Sequence, residues 1–252
     1  CAIAQALDAM RLLDVPLRRD LALRFYDLIV YENLEFARSA YLDKVLETYR
    51  RDCVDFGFAA TRAVIWYLYK VLAIKDEVWV SHLLTSEEKR RRDHERYRID
   101  PSRGDRLRYV HLNRPEFNLF SFKLRFHIRS RPWMLRVLKR MKFLRRLPGW
   151  HTQESHFRDR YTQLVDRFRF ESKEVYDELV EALRLPEQVR GYVDVRYPTM
   201  VEPLRRIEAL LNNPVLRDFS AHPPESEPVP EPHFAPVRSK HGSEPRSARS
   251  YN

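Results

Sequence analysis

The chain is poor in glycine and poorer in cysteine. Its five glycines, Gly57, Gly104, Gly149, Gly191 and Gly242, lie scattered over 252 residues, so no glycine-rich loop is present to cradle a phosphate. Cys1 and Cys53 are the only cysteines, too few for an iron–sulfur cluster, a Cys-ligated zinc site or a disulfide framework. No run of about 18 apolar residues occurs, so no segment of the sequence spans a membrane. The N-terminus lacks the charged-then-apolar layout of a signal peptide, which makes the cytoplasm the expected location. The nine histidines include no HExxH spacing, and His151 and His156 stand five apart, on different helix faces. No serine sits in a GxSxG elbow, and nothing in the sequence supports a Cys–His pair built on Cys53. No catalytic constellation stands out. The first residue is Cys rather than Met, which suggests the interior of a longer polypeptide.

What is present is a globular composition with a local excess of positive charge. At 44% hydrophobic and 12% aromatic residues, the chain can bury a core in one large or two small domains. Its formal net charge is +10, and the segment from Lys123 to Arg146 holds ten Lys/Arg and no acid, so the basicity belongs to that segment. The longest span dense in apolar residues is Ala63 to Leu84, AVIWYLYKVLAIKDEVWVSHLL. Apolar residues fall on most sides of it at helical spacing, which predicts burial. Lys70 and the run Lys75-Asp76-Glu77 are set into it. Either these charges meet buried or interfacial partners, since a buried charge must be paired, or Asp76 caps a second helix after a break at Ile74-Lys75 and they point to water.

Around this span the expected elements are mostly helices. Ile3 to Leu13 reads as a short helix closed by Asp14-Val15-Pro16, followed by a long one over 17–51, bent near Asn33. Ser86 with Glu87 and Glu88 opens a charged helix to about Arg98. The period then changes to two: Phe120, Phe122, Leu124, Phe126 and Ile128 alternate with polar and basic residues. That predicts a β-hairpin over about 106–128, turning at Asn113-Arg114-Pro115-Glu116, its phenylalanines pressed on helices or another domain. Pro132 starts a basic helix to about Arg146, and further helices are expected at about 154–168, 172–184 and 198–211. The predicted class is α+β, mainly α-helical. The expected organisation is an N-terminal helix at 1–16, a mainly helical domain with the hairpin at 17–211, and a Pro/Ser/Arg-rich disordered tail at 212–252.

Four ordered blocks resemble the C-terminal region of the large single-chain indolepyruvate (2-oxoacid) ferredoxin oxidoreductases. The central one matches at Lys70, Ala73, Lys75, Asp76, Glu77, Val80, Leu83 and Thr85, and departs at Trp79 and His82. Ahead of it, Arg24, Leu28, Tyr31, Asn33, Ala37, Tyr41 and Val45 match, with Glu32 where glutamine is usual. The third block is FHIRSRPWML with the basic helix and Gly149, without the double proline often seen before Arg131. The fourth is Leu185, Pro186, Val189, Arg190, Gly191 and Tyr192, departing at Val193 and Asp194. The resemblance implies a non-catalytic C-terminal accessory segment of an enzyme that decarboxylates an aryl or other 2-oxoacid with thiamine diphosphate. Electrons would pass through [4Fe-4S] clusters to ferredoxin, and coenzyme A would take the acyl group, all in the parent enzyme outside this segment.

The expected partners are the catalytic domains of that enzyme and ferredoxin, with any oligomer formed through the parent. Candidate structural or interface residues are Lys70, Lys75, Asp76, Glu77, Arg190 and Gly191. Arg136, Lys139, Lys142 and Arg146 are the candidates for docking an acidic partner. The tyrosines of the second block read as packing between helices. A competing class is a stand-alone basic helical module that binds nucleic acid or an anionic membrane surface.

Overall fold

Helix α5 (Ala59–Leu72) is apolar on nearly every side, with Ala60, Ala63, Val64, Ile65, Leu68, Val71 and Leu72 all buried. Such a helix has to be surrounded. It packs against α2 (Val15–Tyr31), α4 (Asp43–Arg51), α9 (Thr152–Asp166) and α10 (Lys173–Arg184). The computed structural model describes residues 2–107, 111–113, 116–119, 122–125, 128–130, 132–147, 149–191 and 193–213. Within them a single apolar cluster runs from Ala6 in α1 (Ala2–Ala9) to Leu211 near the end of α11 (Val193–Asn212).

Local chemistry sets the helix ends. Asp14 caps α2 by accepting the Leu17 amide at 2.8 Å, and Leu17, Leu21, Phe25, Leu28 and Tyr31 bury one stripe of that helix. The long helix expected over 17–51 is interrupted at Glu32-Asn33. Asn33 caps the one-turn α3 (Leu34–Phe36) through the Phe36 amide, and a π-helical turn over Ala37–Leu42 leads into α4. The apolar span Ala63–Leu84 is likewise two helices. α5 stops at Leu72, the chain is extended at Asp76, and α6 (Glu77–Leu84) begins with Asp76 as its N-cap. Then come α7 (Glu87–Tyr97), capped by Ser86, and α8 (Pro132–Leu138). The basic helix expected to reach Arg146 ends at Leu138, and Lys142–Arg146 form a separate 3₁₀ turn. Another 3₁₀ turn, Leu185–Gln188, precedes α11, which starts ahead of the expected position and carries Pro198 and Pro203 within it.

The α+β class is corrected: the fold is mainly α. Class follows from the elements that make up a domain, and among the described residues helices dominate, the four strands holding three or four residues each. The single hairpin turning at 113–116 is corrected with it. What lies there is four segments of three or four residues, β1 (His111–Asn113), β2 (Glu116–Leu119), β3 (Phe122–Arg125) and β4 (Ile128–Ser130), paired as β1–β4 and β2–β3. Glu116 opens a paired segment instead of closing a turn, and Leu119 stands opposite Phe122. A continuous period of two fixes which residues share a face but not where the chain reverses. The side chains of the hairpin phenylalanines and the expected tail beyond residue 213 lie outside the described residues.

Candidate functional site

A rich polar arrangement forms where α2 ends, α6 begins and the 142–146 turn crosses them. Asp76 is 1% exposed, and its carboxylate accepts from four sides. The Trp79 amide donates to Oδ1 at 2.7 Å, which is the α6 cap. Arg145 donates through Nε to Oδ2 at 2.5 Å and through Nη2 to Oδ1 at 3.1 Å, and the Tyr31 hydroxyl reaches Oδ2 at 3.4 Å. The two-pronged geometry is the one in which guanidinium and carboxylate match best. The remaining Arg145 nitrogen, Nη1, donates to the Tyr31 carbonyl and to Glu32 Oε2, the latter at 3.1 Å. Its guanidinium carbon also sits 3.7 Å from the centre of the Tyr31 ring. Trp79 closes the node edge-on to Tyr31, with ring centroids 5.4 Å apart.

Burial alone would weaken the hold of Arg145 on its proton, but the hydrogen bonds and charge of Asp76, with Tyr31 and Glu32, raise it above the usual arginine value. Burial pushes the Tyr31 phenol up, and the Asp76 carboxylate adds to that. Both Asp76 oxygens and all three Arg145 nitrogens are engaged. Asp76 and Arg145 are thus spent on each other and on the adjoining chain, and together they clasp segments 69 residues apart.

A second node adjoins it. His151 lies between Glu77 Oε2, 3.1 Å from Nε2, and Glu154 Oε1, 3.4 Å from Nδ1. Burial opposes the imidazolium, but Glu154 and Glu77 outweigh it and raise the His151 pKa to about 10. Glu154, itself buried, is held low by His151 despite its desolvation. His151 adopts φ +46° at the entrance to α9, a left-handed conformation unusual for a residue with a side chain. Among the described residues no group of three or more His, Cys, Asp or Glu is arranged to hold a metal ion.

The remaining candidates separate. Lys75 is exposed. Lys70 reaches across to the 185–188 turn, donating to the Pro186 carbonyl at 2.6 Å and to that of Glu187 at 3.3 Å; burial lowers its pKa, as do the charges of Arg196 and Arg190. Arg190 joins the same corner through its backbone amide to the Thr199 hydroxyl at 3.2 Å. Gly191 has φ +83°, and a Cβ there would lie 2.7 Å from Val195, so both backbone and space demand glycine. Of the four basic docking candidates, Arg136 and Arg146 are exposed, Lys139 is half-buried and Lys142 turns inward to donate to the Glu32 carbonyl at 2.7 Å. The four do not share one outward arc, because the helix breaks after Leu138.

A family model described as a family of unknown function, DUF6537, matches residues 17–209. The chain belongs to that family. Comparison with curated proteins and with solved structures returns no match. The matched span runs from the first turn of α2 through most of α11, and takes in both polar nodes and the Lys70–Arg190 corner. Sequence reasoning missed Arg145, His151 and Glu154. The His151–Glu154 spacing of three residues was the available signal, whereas nothing local sets Arg145 apart from the basic residues around it.

Proposed function

We propose that this chain is the non-catalytic C-terminal accessory segment of a cytoplasmic thiamine-dependent 2-oxoacid:ferredoxin oxidoreductase, with a structural role beside the catalytic domains. In that enzyme the thiamine diphosphate and [4Fe-4S] clusters belong to other segments, and ferredoxin is the electron acceptor. The observation that carries the reading is how the resembling residues are used. Asp76 caps α6 and clasps Arg145, Glu77 holds His151, Lys70 ties α5 to the 185–188 turn, and Gly191 permits the turn into α11. Each is spent on the architecture of the chain, as a structural segment requires. Among the described residues no helix is long and apolar enough to cross a bilayer.

The test uses the full-length polypeptide that contains this sequence. The reading expects cysteine clusters and a thiamine motif in frame ahead of Cys1. It also expects thiamine diphosphate and iron–sulfur absorbance in the purified protein, and ferredoxin reduction that depends on a 2-oxoacid. A polypeptide without those motifs, whose purified form binds DNA with a steep salt dependence, contradicts it and supports the nucleic-acid alternative.

A further inference from the structure

The outward side of residues 133–147 has a composition that the clasp does not explain. Leu135, 1% exposed, seats α8 on α6, and Arg145 faces the Asp76 node. The exposed residues of α8 and the two residues after it are Trp133, Arg136, Val137 and Arg140, the i, i+3, i+4, i+7 spacing of one helical stripe. Phe143, Arg146 and Leu147 continue the exposed set beyond the break. Every exposed residue from 133 to 147 is thus either an arginine or a large apolar side chain, and no acid occurs in the segment. Trp133 is 59% exposed and Phe143 56%. Single exposed hydrophobics are ordinary, but a contiguous run of them marks an interaction surface.

We infer that this stripe is a docking surface for an acidic protein face that carries apolar pockets between its carboxylates. Charge complementarity favours carboxylates: of the three exposed guanidinium groups Arg146 comes within 3.9 Å of one acid, Glu32, and the stripe as a whole complements an anionic face, since arginine matches carboxylate two-pronged. The exposed cations are all arginine, while Lys139 and Lys142 are half-buried. Arginine with tryptophan and phenylalanine, and without exposed lysine, is the composition of protein–protein hot spots. A helix that lies on a membrane separates its apolar face from its basic face; here the two kinds alternate along one stripe. Val137 and Leu147 offer nothing to a phosphate backbone, which argues against nucleic acid. The inference rests on exposure and charge alone and is independent of which enzyme the chain accompanies.

The experiment measures binding of the whole chain to four probes: a random Glu–Tyr copolymer, poly-Glu of equal length, vesicles of equimolar phosphatidylserine and phosphatidylcholine, and oligothymidylate. The expected order places the Glu–Tyr copolymer first. The triple variant Arg136→Gln/Arg140→Gln/Arg146→Gln should weaken copolymer binding at least about tenfold at 0.1 M salt, with much less effect at 1 M, where the Debye length falls from about 10 Å to about 3 Å. Trp133→Ala/Phe143→Ala should reduce the copolymer to the affinity of poly-Glu at both salt concentrations. All five residues are exposed, and an unchanged melting temperature shows that each variant is folded. Equal affinity for the two polymers, tighter binding to vesicles or to oligothymidylate, or self-association that Trp133→Ala abolishes would each overturn the inference.

Discussion

The two sides of residues 133–147 put the same residue type to opposite uses. Inward, Arg145 has 11% of its side chain exposed and gives every nitrogen to a fixed acceptor. Outward, Arg136 and Arg140 face solvent, and Arg146 approaches only Glu32 Oε1, at 3.9 Å. Desolvation makes the difference. A buried charge that loses its partner strands the other, at about 3–5 kcal/mol, whereas an exposed ion pair is worth about 0–1 kcal/mol because water and salt screen it. Net charge therefore says little about stability here; what stands opposite each guanidinium decides it.

Breaking the inward side should cost most. Arg145→Ala leaves Asp76 buried without its cation and should destabilise the chain by about 3–5 kcal/mol in chemical denaturation. If the cost stays below about 1 kcal/mol, water has replaced the guanidinium and the two sides are alike.

The His151 node sharpens the comparison through pH. Its folded pKa of about 10 lies above the ordinary value of 6.5, so its stabilisation is fully present below about pH 6.5, declines as pH rises, and is gone above about pH 10. The shift corresponds to at most about 5 kcal/mol, and with the partly exposed Glu77 screened by solvent the loss should be on the order of 2–4 kcal/mol. Other groups titrate in this range, so the readout is the difference between the wild-type profile and that of His151→Gln, which cannot take up the proton. Parallel profiles would mean that Glu77 and Glu154 do not hold an imidazolium.

Gly191→Ala should cost about 1–3 kcal/mol, because φ +83° strains any side chain and the new Cβ would press on Val195. A neutral result would show that the entrance to α11 can shift. Smallest of all, the Arg136→Gln/Arg140→Gln/Arg146→Gln variant should keep wild-type stability within about 0.5 kcal/mol. A larger loss would mean that the outward side also holds the fold together.

How much of this was legible in the sequence depended on range. The Asp76 cap is local: an aspartate at the head of a short apolar run, three residues before Trp79, has the spacing of an N-cap. The bend at Glu32-Asn33 is local in the same way, since Asn33 caps the next turn. The partner of Asp76 was not legible, because Arg145 lies far along the chain in a run of ten cations that only the packing of α8 on α6 tells apart. The end of α8 at Leu138 was hidden for a related reason: no proline or glycine stands between Trp133 and Leu147, so the helical period continues past the break. Helical periodicity was readable, but the alternating run at 119–129 gave strands a weight in the fold class that four segments of three or four residues do not carry. For His151, one of its two carboxylates stands three residues on and is local, whereas Glu77 lies 74 residues back and only the fold brings it near.

Asp76 and Arg145 form one buried clasp, and a double-mutant cycle isolates the energy they share. Asp76→Ala alone should cost on the order of 3 kcal/mol, since it removes the α6 cap and strands Arg145. With Arg145→Ala added, the second substitution should cost far less than it does in the wild type, giving a coupling energy of about 2–3 kcal/mol. Additivity within about 0.5 kcal/mol would contradict the account, because residues that share one buried hydrogen-bonded pair cannot be energetically independent.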